Sequence, residues 1–254
     1  MPIPKAPTPT IPKRPPVAAR EGDIFLVSYP KMGRTWVRQF LAQYLSLTFD
    51  LGYREDYELN ALLEIVPSEW RLREGGKFIY ENDSRVPRIR CAHYKFDDFF
   101  IGKPIILLTR GIEDTLVSFY YWWLREGTIG AFARDGVADV VDWLGGWELG
   151  LPKTERYLHV TYEDLWADAG GSFRAIIDFI GLPFDSGHFY TALERASFDR
   201  MRKDQEGMAV ERVRKGIVGG YKDELSPEDI AFIQERIKAY SVGHFGKEFD
   251  ARQR

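Results

Sequence analysis

From Asp23 to Ser46 the chain passes from a short apolar stretch, DIFLVSYP, through a glycine turn into residues that are apolar at helical spacing. A β-rich run that ends at a proline, which cannot donate to a ladder, reads as a buried strand over Asp23 to Pro30. Trp36, Val37, Phe40, Leu41, Tyr44 and Leu45 then form one stripe, which predicts a helix from about Arg34 to Ser46. A strand feeding a helix through a tight turn is the building unit of a parallel sheet.

The unit recurs. RIRCAHY (Arg88 to Tyr94), PIILLTR (Pro104 to Arg110) and RYLHVTY (Arg156 to Tyr162) are further strand candidates, the second apolar throughout as a sheet covered on both faces requires. Helices are expected over Glu113 to Leu124 and around Phe173, Ile176, Ile177 and Ile180, the latter capped by Ser172 and stopped at Gly181. Ser226-Pro227-Glu228-Asp229 opens a last helix whose stripe is Ile230, Ile233, Ile237 and Tyr240. Leu51 to Asp83 yields only a helix around Tyr57 to Ile65. The expectation is an α/β, three-layer, P-loop-like fold with a central parallel sheet flanked by helices, binding ligands beyond the carboxyl ends of its strands. Seven prolines in the first sixteen residues mark 1–20 as an extended tail, leaving 21–254 as one domain.

Composition excludes several classes. With 254 residues, 44% of them hydrophobic and 29% charged, the body is globular, and a net charge of -3 excludes the global basic field of a nucleic-acid binder. Cys91 stands alone, so neither an internal disulfide nor a thiolate zinc cage can form, which favours a reducing, cytoplasmic setting. No apolar run reaches membrane-spanning length.

An anion site must therefore be local, and the first turn provides one. In Tyr29-Pro30-Lys31-Met32-Gly33-Arg34-Thr35-Trp36 the glycine lets backbone approach a ligand, the helix start offers N–H groups, and Lys31 and Thr35 add a cation and a hydroxyl. Aligned on the Walker A pattern, Ser28 replaces the first glycine and Arg34 the lysine. A P-loop kinase of a nucleotide or small metabolite stays open as a second reading, with Glu163 or Asp164 as its magnesium acid. A non-enzymatic binding module is a third.

YPKMGRTW resembles the YPKSGTTW phosphosulfate loop of sulfotransferases that use 3′-phosphoadenosine 5′-phosphosulfate (PAPS). Arg110 and Ser118, eight residues apart in TRGIEDTLVS, are similar to that family's 3′-phosphate site. Arg214-Lys215-Gly216 in VRKGIVGGYK resembles the RKGxxGDWK segment that closes over the same phosphate. Tyr162 in TYEDL and Phe198 in SFDRM resemble the adenine-contacting residues, together with Trp36. The resemblance implies PAPS as donor, 3′,5′-adenosine bisphosphate (PAP) as product, no metal, and a cofactor site of Lys31, Met32, Gly33, Arg34, Thr35, Trp36, Arg110, Ser118, Tyr162, Phe198, Arg214, Lys215 and Gly216. It implies catalytic roles for Lys31, Ser118 and His93, the last as general base at a strand end, where an imidazole can take a proton near neutral pH.

The chain departs from the family at two places. Cys91 stands where the family has a lysine two places before the base, with Arg90 or Lys95 as partial replacements. Of the C-terminal dimer motif only Lys222 and Ser226-Pro227 are kept, so the resemblance leaves a homodimer open. His159, His188 and His244 read as structural or surface residues. Tyr120, Tyr121, Trp122 and Trp123, with Trp143 and Trp147, divide between core and an acceptor pocket suited to a small aromatic or apolar molecule.

Overall fold

The computed structural model describes residues 17–52, 64–123, 127–203 and 214–240. Four strands, β1 (Ile24–Ser28), β2 (Ile89–Ala92), β3 (Pro104–Thr109) and β4 (Arg156–Thr161), form one parallel sheet in the order β2-β1-β3-β4. In β1, Ile24 and Leu26 enter one core cluster while Phe25 and Val27 enter the other. β3 divides likewise, Ile106 and Leu108 against Ile105 and Leu107, so the two central strands are buried on both faces. β4 is an edge strand, and its first residues, Arg156 and Tyr157, are exposed.

One face is covered by α1 (Arg34–Phe49), α6 (Ala169–Ile180) and α7 (Ser186–Arg195); Phe40 stacks on Phe173 at 4.0 Å between ring centroids. The other is covered by α3 (Ile112–Trp123), α4 (Ile129–Gly150) and α9 (Pro227–Tyr240). Short helices α2 (Glu69–Arg73), α5 (Tyr162–Ala167) and α8 (Phe198–Lys203) lie between these layers in sequence. This is the expected three-layer architecture, with strand ends shifted by one or two residues.

Three readings change. The cap of α6 is Asp168, whose carboxylate accepts the Gly171 N–H at 2.8 Å; the helix therefore starts three residues ahead of Ser172, because an acid serves as well as a hydroxyl and two glycines are tolerated in the first turn. α4 was not legible as a helix. Trp143 and Trp147 on it are wholly buried core, with no share in a pocket, and their indole N–H groups donate to the Tyr94 carbonyl at 3.0 and 2.9 Å. The helix expected around Tyr57 to Ile65, apart from Glu64 and Ile65, which form a turn, lies outside the described residues, as do most of the tail and His244.

Candidate functional site

The carboxyl ends of β1, β2 and β3 open into a cavity of about 430 Å³. Its floor is the turn after β1. Lys31 has φ 70° and Gly33 φ 93°, both left-handed, and a Cβ at Gly33 would sit 2.5 Å from the Tyr162 ring. Only glycine satisfies both demands there, and the strain at Lys31 is of the kind functional loops hold. Gly33 caps α1 without a side-chain acceptor, so the backbone N–H groups that open the helix face the loop.

The cavity wall gathers Lys31, Gly33, Arg34, Thr35, Trp36, Arg110, Ser118, Tyr162, Phe198, Arg214, Lys215, Gly216 and His93. Met32 is the exception among the expected residues; its side chain is buried in the core beneath the loop. Arg110, just past β3, donates to the carbonyls of Lys31 at 3.3 Å and Ile217 at 3.0 Å, and its guanidinium lies 4.3 Å from the Tyr162 ring centre. Its Nε is buried and has no partner among the described residues. The bond to Ile217 also ties the segment 214–220 to the β3 end, as does Asp114, which accepts the N–H groups of Gly219 and Tyr221 at 2.7 and 3.0 Å. A Cβ at Gly216, φ 64°, would overlap the Phe198 ring. Trp36 and Tyr162 meet edge to face at 5.9 Å.

Arg214 and Lys215 share the Glu224 carboxylate at 2.6 and 2.7 Å. Partial burial pushes Glu224 up, but bonds from Lys215, Tyr121 and Arg214 outweigh it and hold the carboxyl at about 2. Lys31 Nζ lies 5.7 Å from the Trp122 ring centre.

His93 follows β2. Its Nδ1 lies 2.6 Å from the Ser28 carbonyl, and Trp143 Nε1 donates to its own carbonyl at 3.0 Å. A carbonyl can only accept, so Nδ1 carries the proton and Nε2 is left as the acceptor nitrogen. Burial above all, then the Arg34 guanidinium, push the imidazole well below its ordinary range; the Ser28 carbonyl pulls the other way, and the Arg38 guanidinium adds the least of these to the lowering. The ring is therefore neutral at pH 7.

Neither expected replacement for a lysine at position 91 reaches this zone. Arg90 is wholly buried and closed in by Asp23 at 2.8 Å and Glu69 at 2.5 Å, with Nη1 also donating to the Ala18 carbonyl and Nη2 to that of Val17. Lys95 pairs with Asp139 and Asp142. The residue missed by sequence reasoning is Arg38, a buried arginine beside the apolar stripe of α1 that lines the cavity next to Cys91 and His93. The signal was a charge one turn after Arg34 in a helix otherwise buried from Val37 to Ser46.

The acids a kinase would need are otherwise engaged. Glu163 accepts the Gly111 N–H at 2.9 Å, and Asp164 forms a capping box with Thr161. No group of side chains suited to a metal ion occurs among the described residues, nor any helix long and apolar enough to cross a membrane. His159 bonds Thr109 at 2.8 Å across β3 and β4, and His188 stands near Asp185 at the start of α7.

The chain is similar to known proteins in sequence and in fold. The Sulfotransferase domain family matches residues 21–247. A flavonol 3-sulfotransferase of Flaveria bidentis is 27% identical over 86% of this chain and 81% of its own. Cytosolic sulfotransferase 10 of Arabidopsis thaliana is 26% identical over 86% and 79%. Among solved structures, a mouse sulfotransferase complexed with PAP superposes with a TM-score of 0.66 at 20% identity, covering 92% of this chain and 89% of that one.

Proposed function

The chain belongs to the sulfotransferase family, and from that premise we propose that it moves a sulfuryl group from PAPS to a hydroxyl or amine of a small, aromatic or apolar acceptor. The observation that carries the reading is one cavity lined by two groups of cations from different parts of the chain, Lys31 and Arg34 of the β1 turn and Arg110, Arg214 and Lys215, together with His93. A donor with phosphate at both ends needs two such clusters, whereas a kinase needs one. The residues fit it: a buried Arg110 Nε without a partner suits a phosphate oxygen, and Gly33 and Gly216 keep backbone against the flat rings of Tyr162 and Phe198.

When bound, the donor supplies an activated sulfuryl group and departs as PAP. The N–H groups of Gly33, Arg34 and Thr35 hold the 5′-phosphate, and Lys31 balances charge growing on the leaving oxygen. Arg110, Ser118, Arg214 and Lys215 hold the 3′-phosphate, and Trp36, Tyr162 and Phe198 flank the base. His93 Nε2 takes the acceptor's proton, which its neutral state and fixed tautomer permit. Trp70, Tyr94 and Trp122 also line the cavity, which suits an aromatic acceptor such as the name of the flavonol relative carries. Residues 21–254 act as one unit in this reading, and the cytosolic relative supports a cytoplasmic location.

Thermal unfolding in EDTA with PAP or with 5′-AMP tests it. We expect millimolar PAP to raise the melting temperature by several degrees and 5′-AMP, which lacks the 3′-phosphate, by far less. Equal shifts, or stabilisation only by ATP with magnesium, would overturn the assignment.

A further inference from the structure

Sulfuryl transfer places negative charge on the oxygens of the group in flight, so cations on both sides of its path matter. On the donor side stands Lys31. On the acceptor side, β2 presents a thiol and a neutral imidazole, Cys91 and His93. Burial pushes the Cys91 thiol up, so it too carries no charge. Arg90 and Lys95, the cations nearest in sequence, are enclosed by their own carboxylates.

Positive charge arrives instead from α1. Arg34 and Arg38 are one turn apart, hence on the same face, and both line the cavity with Cys91 and His93. Arg38 Nε donates to the Val66 carbonyl at 2.9 Å, which fixes the plane of the guanidinium. Both arginines act electrostatically on Cys91 and on His93.

Resting on the sulfotransferase reading above, we propose that Arg38 is a catalytic cation whose guanidinium contacts the non-bridging oxygens of the sulfuryl group as it passes toward the acceptor held at His93. The S–O bond to the 5′-phosphate breaks as the S–O bond to the acceptor forms, and the acceptor proton goes to His93 Nε2. Arg38 exchanges no proton. Its planar fork suits two oxygens of one sulfuryl group better than an ammonium does.

The test runs transfer in reverse, from p-nitrophenyl sulfate to PAP, and follows p-nitrophenolate release. Arg38→Met is expected to lower kcat about 10²-fold, as loss of one oxyanion donor does, with PAP affinity held within about threefold. Cys91→Lys, which brings an ammonium from the end of β2, is expected to recover at least tenfold of that loss in the double variant. If Arg38→Met does not fold, Arg38→Lys against Arg38→Gln makes the same comparison of charge kept with charge removed. A kcat near that of the unaltered protein, a loss that tracks PAP affinity or melting temperature, or no recovery in a folded double variant would overturn the proposal. Silence of the unaltered protein, in this assay and with PAPS and 2-naphthol, would instead strike the sulfotransferase reading and take this one with it.

Discussion

Arg90 and Arg110 are both buried arginines of the central sheet, yet they do opposite work. Arg90 lies within β2, and its guanidinium meets Asp23, Glu69 and two carbonyls of the segment leading into β1, with the Phe25 ring 5.0 Å away. Arg110 lies beyond the carboxyl end of β3, where it donates to the Lys31 and Ile217 carbonyls, and the Asp114 carboxylate stands 3.9 Å away, occupied with backbone N–H groups. One charge is cancelled inside the protein; the other belongs to a cavity-lining residue whose buried Nε has no hydrogen-bond partner among the described residues. Parallel strands explain the difference, because ligands gather at their carboxyl ends while the opposite ends only have to close the fold.

The sharpest way to break this contrast is at His93, which belongs with Arg110. His93→Ala should lower turnover by between about 10²- and 10⁴-fold while PAP-induced stabilisation persists. Since the folded imidazole titrates well below 6.5, activity should hold down through pH 6.5 and fall only at lower pH, where the base becomes protonated. A limb centred above pH 7, or turnover retained by the variant, would remove His93 from the chemistry.

Arg90→Met comes next. It strands Asp23 and Glu69 without their guanidinium, so stability should drop by about 3–5 kcal/mol in urea unfolding. The folded fraction should bind PAP as before. A loss of PAP affinity without loss of stability would show that the two ends of the sheet are not divided as argued.

Much of this was legible in the chain itself, for reasons that particular residues show. β3 could be read because every residue from Pro104 to Thr109 is buried, and α1 because its stripe is regular. α4 could not, since Gly130, Gly136, Gly145, Gly146 and Gly150 give it the composition of a loop. Three of those glycines answer to packing: a Cβ at Gly130 would overlap the Asp229 carboxylate, one at Gly136 would press on Leu116, and one at Gly150 would overlap Phe96. Local propensity cannot register a neighbour that arrives from elsewhere in the chain. The same limit hid the Arg90 cluster, whose carboxylates come from positions 23 and 69, and the use of Arg38, which depends on a cavity. The donor loop was the easiest part because its chemistry is contained in eight consecutive residues, 29–36.

Arg110→Met should act on the ligand alone. Losing charge-assisted hydrogen bonds to the 3′-phosphate weakens PAP binding by about 1.5–3 kcal/mol, and 5′-AMP binding should change much less. Stability without nucleotide should stay within about 1 kcal/mol, the reverse of the Arg90 result. Calorimetric titration with both nucleotides separates the two.

Glu224 is the smallest and most informative test, because it is a carboxylate at the carboxyl edge that does pair with cations, Arg214 and Lys215. Its folded pKa of about 2 lies below the ordinary 4.5, so the pair adds stability above pH 4.5 that is lost as pH falls toward 2. Arg214 and Lys215 are partly solvent-facing, which holds the contribution to about 1 kcal/mol. Glu224→Gln should therefore be less stable than the unaltered protein by about that amount at pH 7, with the gap narrowing between pH 4.5 and 3. If Arg214 and Lys215 turn to the 3′-phosphate when PAP binds, the gap at pH 7 should also narrow in its presence. A gap unchanged by PAP would make this pair architectural, like that of Arg90, and would leave Arg110 and Ser118 to hold the phosphate.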